Sequence, residues 1–117
     1  MDKLTRIKGV LVGGAYGDAM GMPTEGWSYN AIHENFPEGI KTFYPSQKNF
    51  VSEREFAAGE VTDDTINTLM IIRSISECFG SLDAENYVKK LINWHRNSDL
   101  SLLVSGPTTL RAISQIE

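Results

Sequence analysis

Thr62, Asp63, Asp64 and Thr65 stand in one run, with Gly59 shortly before them and an apolar stretch, 66–75, directly after. Two adjacent carboxylates between two hydroxyls place several hard oxygen donors within one turn of backbone. Such a set suits Mg²⁺ or Ca²⁺ better than a softer metal. Ile66, Leu69, Met70, Ile72 and Ile75 approximate a helical stripe, so Thr62 is placed as the N-cap and both aspartates fall in the first turn. There the partial positive charge of the helix end stabilises carboxylates without any metal. A capped helix and half of a cation site are two readings of the same four residues.

Upstream, Gly9, Gly13, Gly17 and Gly21 recur at every fourth position among Val10, Leu11, Val12, Ala15, Ala19 and Met20. Each glycine costs a helix about 1 kcal/mol relative to alanine. A bare glycine stripe lets another backbone approach closely. The expectation is a helix over 4–21, buried at the centre of the fold with its stripe against a second helix. Pro23 ends it near Gly21 or Met22, and Asp18 is read as holding the helix end. Glu25 then falls just past the C-terminus, where the helix dipole disfavours a carboxylate. A nearby cation or a reacting proton would account for that placement; a solvated glutamate is the plainer reading.

The elements that must position these groups are mostly helical. Residues 26–60 lose the helical period and gather Trp27, Tyr29, Phe36, Phe43, Tyr44 and Phe50. A connection this long is a ligand-binding segment or is pinned to the core by its aromatics. Within it Ser28 caps a short helix through 31–35, stopped by Pro37, and 40–44 can form a short extended piece. A second helix runs from Asp63 to about Phe79, with Gly80 as its C′ residue. Ser81 or Asp83 opens a third, whose Ala84, Tyr87, Val88, Leu91 and Ile92 keep helical spacing. Residues 97–105 read as a connection, and Pro107 begins a last helix. His33 and His95 have no second ligand at metal spacing; His95, beside Trp94, reads as a satisfied, partly buried histidine.

Composition excludes several classes. At 117 residues, 41% hydrophobic and 22% charged, the chain has the make-up of one soluble domain, 1–117. The net charge is −4 and its basic residues are scattered, so no nucleic-acid backbone is expected as partner. The single cysteine, Cys78, permits no internal disulfide and fits a cytoplasmic location. Lys3, Arg6 and Lys8 precede an apolar stretch too short and glycine-broken for a signal peptide. No membrane partner is expected, since nothing approaches the roughly 20 apolar residues of a span.

Together the two motifs resemble the ADP-ribosylglycohydrolase family, of the dinitrogenase-reductase-activating glycohydrolase type. The first signature stands as Gly9, Gly13, Gly17-Asp18-Ala19, Gly21, Pro23 and Glu25; the second as Gly59 and Thr62 to Thr65. Trp94 with Gly106-Pro107-Thr108-Thr109 is a third, weaker likeness. The resemblance implies an all-α fold, the N-terminal part of a helical bundle with a long aromatic-rich loop. It implies a magnesium-dependent hydrolase that cleaves the glycosidic bond of an ADP-ribosyl substrate, through a state with oxocarbenium character. Thr62, Asp63 and Asp64 would supply one half of a site for Mg²⁺, two ions in the complete protein. Glu25 would be the catalytic group, transferring a proton or placing the water. Gly106 and Thr108 would bind substrate, receiving a phosphate or ribose oxygen at a helix N-terminus; a plain cap with proline at N1 is the other reading.

Family members are longer and add a second acidic motif near their C-terminus, whereas Asp83 and Asp99 stand singly here. The last helix also lacks a stop residue. The expectation is an N-terminal fragment of a larger all-helical domain, inactive alone. Leu110, Ile113 and Ile116 would be covered by the missing C-terminal half or by self-association. The alternatives are a non-catalytic structural or binding relative, as among certain eye-lens crystallins, and a helical module merely stabilised by Ca²⁺ or Mg²⁺. Retention of Glu25 and both aspartates argues against the first.

Overall fold

A computed structural model describes residues 2–46 and 55–116. They fall into two compact units, Met1–Thr62 and Asp63–Glu117. Six α-helices and one 3₁₀ turn make up the described regular structure, with no strand among the described residues. The all-α expectation holds, and 40–44 joins no ladder. No helix among the described residues is long and apolar enough to cross a membrane.

In the first unit α1 spans Lys3–Gly21. Asp2 starts it, accepting from the Thr5 N–H at 2.8 Å and from the Thr5 hydroxyl at 2.9 Å. Pro23 cannot extend the α-helix, and the chain tightens into a 3₁₀ turn, Met22–Thr24, whose three residues are all buried. Ala19, Met22, Pro23 and Phe56 are the buried apolar residues among the described residues of this unit.

The glycine stripe departs from expectation. Gly9, Gly13, Gly14, Gly17 and Gly21 are all exposed, and a Cβ built on any of them meets no described atom within 4 Å. Leu11, Ala15, Asp18 and Ala19 form the more enclosed side of α1, while Val10 and Tyr16 are exposed with the glycines. The four-residue spacing defines a face correctly, but spacing carries no information on whether that face is covered. Alanine at position 13 therefore meets no steric objection and reduces the freedom of the unfolded chain. Gly13→Ala should stabilise this chain by about 1 kcal/mol, read as a rise in the urea midpoint at unchanged slope; destabilisation would show a partner surface against the stripe.

The aromatics of the following segment pin it down. After Ser28, whose hydroxyl accepts from the Ala31 N–H at 3.2 Å, α2 spans Tyr29–Asn35. Phe36 sits between Trp27 and Tyr44, with ring centroids at 6.4 and 5.0 Å, and Phe43 meets Tyr16 of α1 edge-on at 5.2 Å. Tyr29 instead stacks on His33 and is exposed. Phe50 lies outside the described residues. Ser46 and Phe56 pair through two hydrogen bonds: the Ser46 N–H donates to the Phe56 carbonyl at 3.0 Å, and the Phe56 N–H to the Ser46 hydroxyl at 2.7 Å. Gly59 follows at φ +86°, a left-handed conformation that explains glycine there without any packing argument.

The second unit begins with α3, Asp63–Glu77. The helix stops two residues short of the expected Phe79: Phe79 itself, at φ +54°, takes the left-handed C′ position expected of Gly80, and Gly80, at φ +94°, follows as C″ with its N–H donating to the Ile75 carbonyl at 2.8 Å. Asp83 then caps α4, Ala84–Asn97, accepting from the Asn86 N–H at 2.7 Å. The fully buried Ser74 hydroxyl donates to the Asp83 carbonyl at 3.2 Å, so the start of α4 is held on α3. Residues 97–105 are not a plain connection. They contain α5, Asp99–Val104, with Ser101 and Val104 buried and Leu102 and Leu103 exposed. His95 satisfies the buried hydroxyl, its Nδ1 lying 2.8 Å from Ser101 Oγ. The last helix, α6, spans Pro107–Ile116. Its expected exposed face is only partly so: Ile113 is 1% exposed, Leu110 is half-buried and Ile116 is 54% exposed. Ile113 is thus already buried within this chain, while Ile116 stays open to solvent.

Glu77 ties α3 to α4. Its carboxylate receives Lys90 at 2.5 Å, and Arg73 lies 3.4 Å away on its own helix. The hydrogen bond from Lys90 is the main cause that holds the Glu77 carboxyl below the ordinary glutamate value of 4.5. A depressed carboxyl stabilises the fold above its unfolded pKa and loses that contribution as pH falls through the folded value. Wild type should therefore exceed Glu77→Gln in melting temperature at neutral pH, with the gap narrowing once the pH drops below 4.5. A gap independent of pH would remove the charge from the explanation.

Candidate active site

Asp18, in the last turns of α1, reaches forward 44 positions to Thr62. One carboxylate oxygen accepts from the Thr62 N–H at 2.8 Å and the other from the Thr62 hydroxyl at 2.8 Å. Thr62 is buried and Asp18 half-buried. Charge-assisted bonds of this length are the stronger kind, and here they fix both the main chain and the side chain of one residue. Asp18 was expected to hold the end of its own helix; it holds the residue that precedes α3. The Gly-Asp-Ala motif marks this aspartate in the sequence, but nothing in the spacing names its partner.

Glu25 closes the 3₁₀ turn. Its N–H donates to the Met22 carbonyl at 3.3 Å, and the Trp27 N–H to the Thr24 carbonyl at 3.0 Å. The Thr24 hydroxyl bonds back to the Gly21 carbonyl at 3.3 Å. Buried Met22, Pro23 and Thr24 thus form a rigid base from which an exposed Glu25 is presented. That is the placement a group needs if it is to meet a substrate or a water.

Asp63 and Asp64 occupy the first turn of α3, the first half-buried and the second exposed. Gly106 and Thr108 stand where expected, on either side of the Pro107 that opens α6; Thr108 is exposed, and the Leu110 N–H closes the first turn on the Gly106 carbonyl at 3.1 Å. Gly106 has open space where a Cβ would lie and no positive φ, so the backbone alone does not demand glycine. A cavity of about 360 Å³ opens between α3 and α4 beside Met70, Arg73, Lys90 and Trp94, and none of the candidate residues lines it.

The donor set fits a hard cation chemically, since Thr62, Asp63 and Asp64 offer oxygen only. The Thr62 proton is given to Asp18, which leaves the lone pairs of Oγ1 for another partner. Among the described residues no group of three or more histidine, cysteine, aspartate or glutamate side chains gathers into a metal cage. These three residues would therefore make only part of a coordination shell.

The family model for ADP-ribosylglycohydrolase matches residues 1–117. This chain belongs to the ADP-ribosylglycohydrolase family. Among its relatives, the uncharacterized protein YegU of Escherichia coli K12 is 34% identical over 115 residues, covering 97% of this chain and 34% of that protein. An uncharacterized Archaeoglobus fulgidus protein is 32% identical, covering 95% and 33% respectively. The ADP-ribosylarginine hydrolase Tri1 of Serratia proteamaculans is 31% identical over 97% of this chain and 29% of its own length. The ADP-ribosylglycohydrolase chain thus spans about a third of the length of the curated relatives it matches. No solved structure matches it.

Proposed function

We propose that the complete protein carrying this chain is a magnesium-dependent hydrolase that releases ADP-ribose from an ADP-ribosylated substrate, in the cytoplasm. The observation that carries the reading is the Thr62-Asp63-Asp64 run at the start of α3, anchored through Thr62 by Asp18, in a chain of this family. Thr62 Oγ1 and the carboxylates of Asp63 and Asp64 are the groups that would hold Mg²⁺. When bound, the ion supplies charge that orients ribose hydroxyls or the diphosphate and polarises a water.

The chain's own groups divide the remaining work. Breaking a bond at the anomeric carbon of ribose develops positive charge on the sugar, which carboxylates stabilise. Glu25, presented on its buried 3₁₀ turn, accepts the proton of the attacking water or holds that water in line. The main-chain N–H groups of the turn at Gly106 and Thr108, at the positive end of α6, receive a phosphate or ribose oxygen.

Arginine-linked ADP-ribose is the first substrate to assay, because the Serratia relative is named for that linkage. Release of free ADP-ribose by the complete protein, dependent on Mg²⁺ and stopped by chelation, is the expected result. Binding of ADP-ribose without turnover of any ADP-ribosyl linkage would favour the non-catalytic alternative.

A further inference from the structure

The geometry points to Asp18 as a positioning residue for the metal half-site: its two bonds to Thr62 turn the Thr62 hydroxyl into a pure acceptor and hold the backbone of the residue directly before Asp63. This rests on the functional reading above. The Thr62 N–H and O–H both end on one carboxylate, at 2.8 Å each, across 44 positions of chain. Holding two distant segments together opposes the entropy of a long loop, so the contact needs strong bonds, and a buried partner supplies them. A hydroxyl has one proton and two lone pairs. With the proton committed to Asp18, whatever approaches Oγ1 from elsewhere meets lone pairs, the arrangement a cation requires. Carboxylates that orient a ligating side chain from behind tune metal affinity by about 10–100-fold. The N–H bond acts on the backbone of Thr62, the residue that directly precedes Asp63.

Asparagine separates the two bonds. In Asp18→Asn the amide oxygen can still accept the Thr62 N–H, while its NH₂ faces Oγ1 as a donor and consumes a lone pair. In Asp18→Ala both bonds are lost. The test measures Thr62 amide exchange by NMR in metal-free protein, and Mg²⁺ affinity by calorimetry, on the complete wild-type protein and both variants. A protected Thr62 amide in wild type and Asp18→Asn, exchange at least 10-fold faster in Asp18→Ala, and Mg²⁺ affinity reduced about 10–100-fold in both variants are expected. Wild-type Mg²⁺ affinity in a folded Asp18→Asn would overturn the role, reducing Asp18 to a scaffold. A rapidly exchanging Thr62 amide in a wild-type protein that binds Mg²⁺ overturns the positioning and leaves the functional reading standing. A protected amide in a protein that binds no Mg²⁺ removes Thr62 as a ligand, and with it this role for Asp18.

Discussion

Replacing Asp63 and Asp64 together with alanine in the complete protein should lower kcat/KM for ADP-ribose release by about 10³-fold or more and abolish calorimetric Mg²⁺ binding. A bound cation that stabilises developing charge supplies several kcal/mol, and each 1.36 kcal/mol is tenfold in rate. The same double substitution also removes two acidic residues from the first turn of α3. As helix-end charges each is worth about 0.3–1 kcal/mol, too little to unfold a domain. The two readings of the motif therefore separate in one experiment. A cap alone predicts a modest fall in melting temperature with Mg²⁺ binding and turnover intact; a metal site predicts the reverse weighting. Unchanged Mg²⁺ binding in the double variant would leave only the cap.

Local features of the chain were legible because their causes are local. Ser28 and Asp83 cap α2 and α4 through bonds to N–H groups three residues on, Pro107 opens α6 and the Gly80 N–H bonds back to the end of α3. Each rests on side-chain chemistry or a φ that few residues adopt. α5 is hidden from apolar periodicity because its pattern is inverted. A serine and a valine lie inside while Leu102 and Leu103 face out, and the buried hydroxyl is satisfied by His95 from α4 and by the Ser105 hydroxyl. Apolar periodicity has no access to those partners. The glycine stripe failed for a related reason: spacing describes one helix, and burial depends on a second surface. In the candidate site the acidic motif and Glu25 stand out by residue type. The Asp18–Thr62 contact does not, because a bond spanning 44 positions is decided by the fold and not by its neighbours in sequence.

Glu25→Gln is the substitution that isolates chemistry from architecture. The side chain is exposed, and the turn that carries it is held by main-chain bonds from Glu25 and Trp27 and by the Thr24 hydroxyl. Glutamine keeps the size and polarity of the group, so melting temperature should stay within the range of ordinary surface changes, about ±0.5 kcal/mol. What it removes is a base able to take a proton from water, a contribution usually worth about 10²–10⁴-fold in rate. The loss should appear in kcat, with KM for the ADP-ribosyl substrate and affinity for Mg²⁺ near wild type. That split distinguishes Glu25 from Asp63 and Asp64, whose removal should abolish metal binding as well. It also distinguishes proton transfer from ligand duty: a Glu25→Gln protein with weakened Mg²⁺ affinity would make Glu25 part of the coordination shell. Wild-type kcat in the variant would remove it from the reaction altogether.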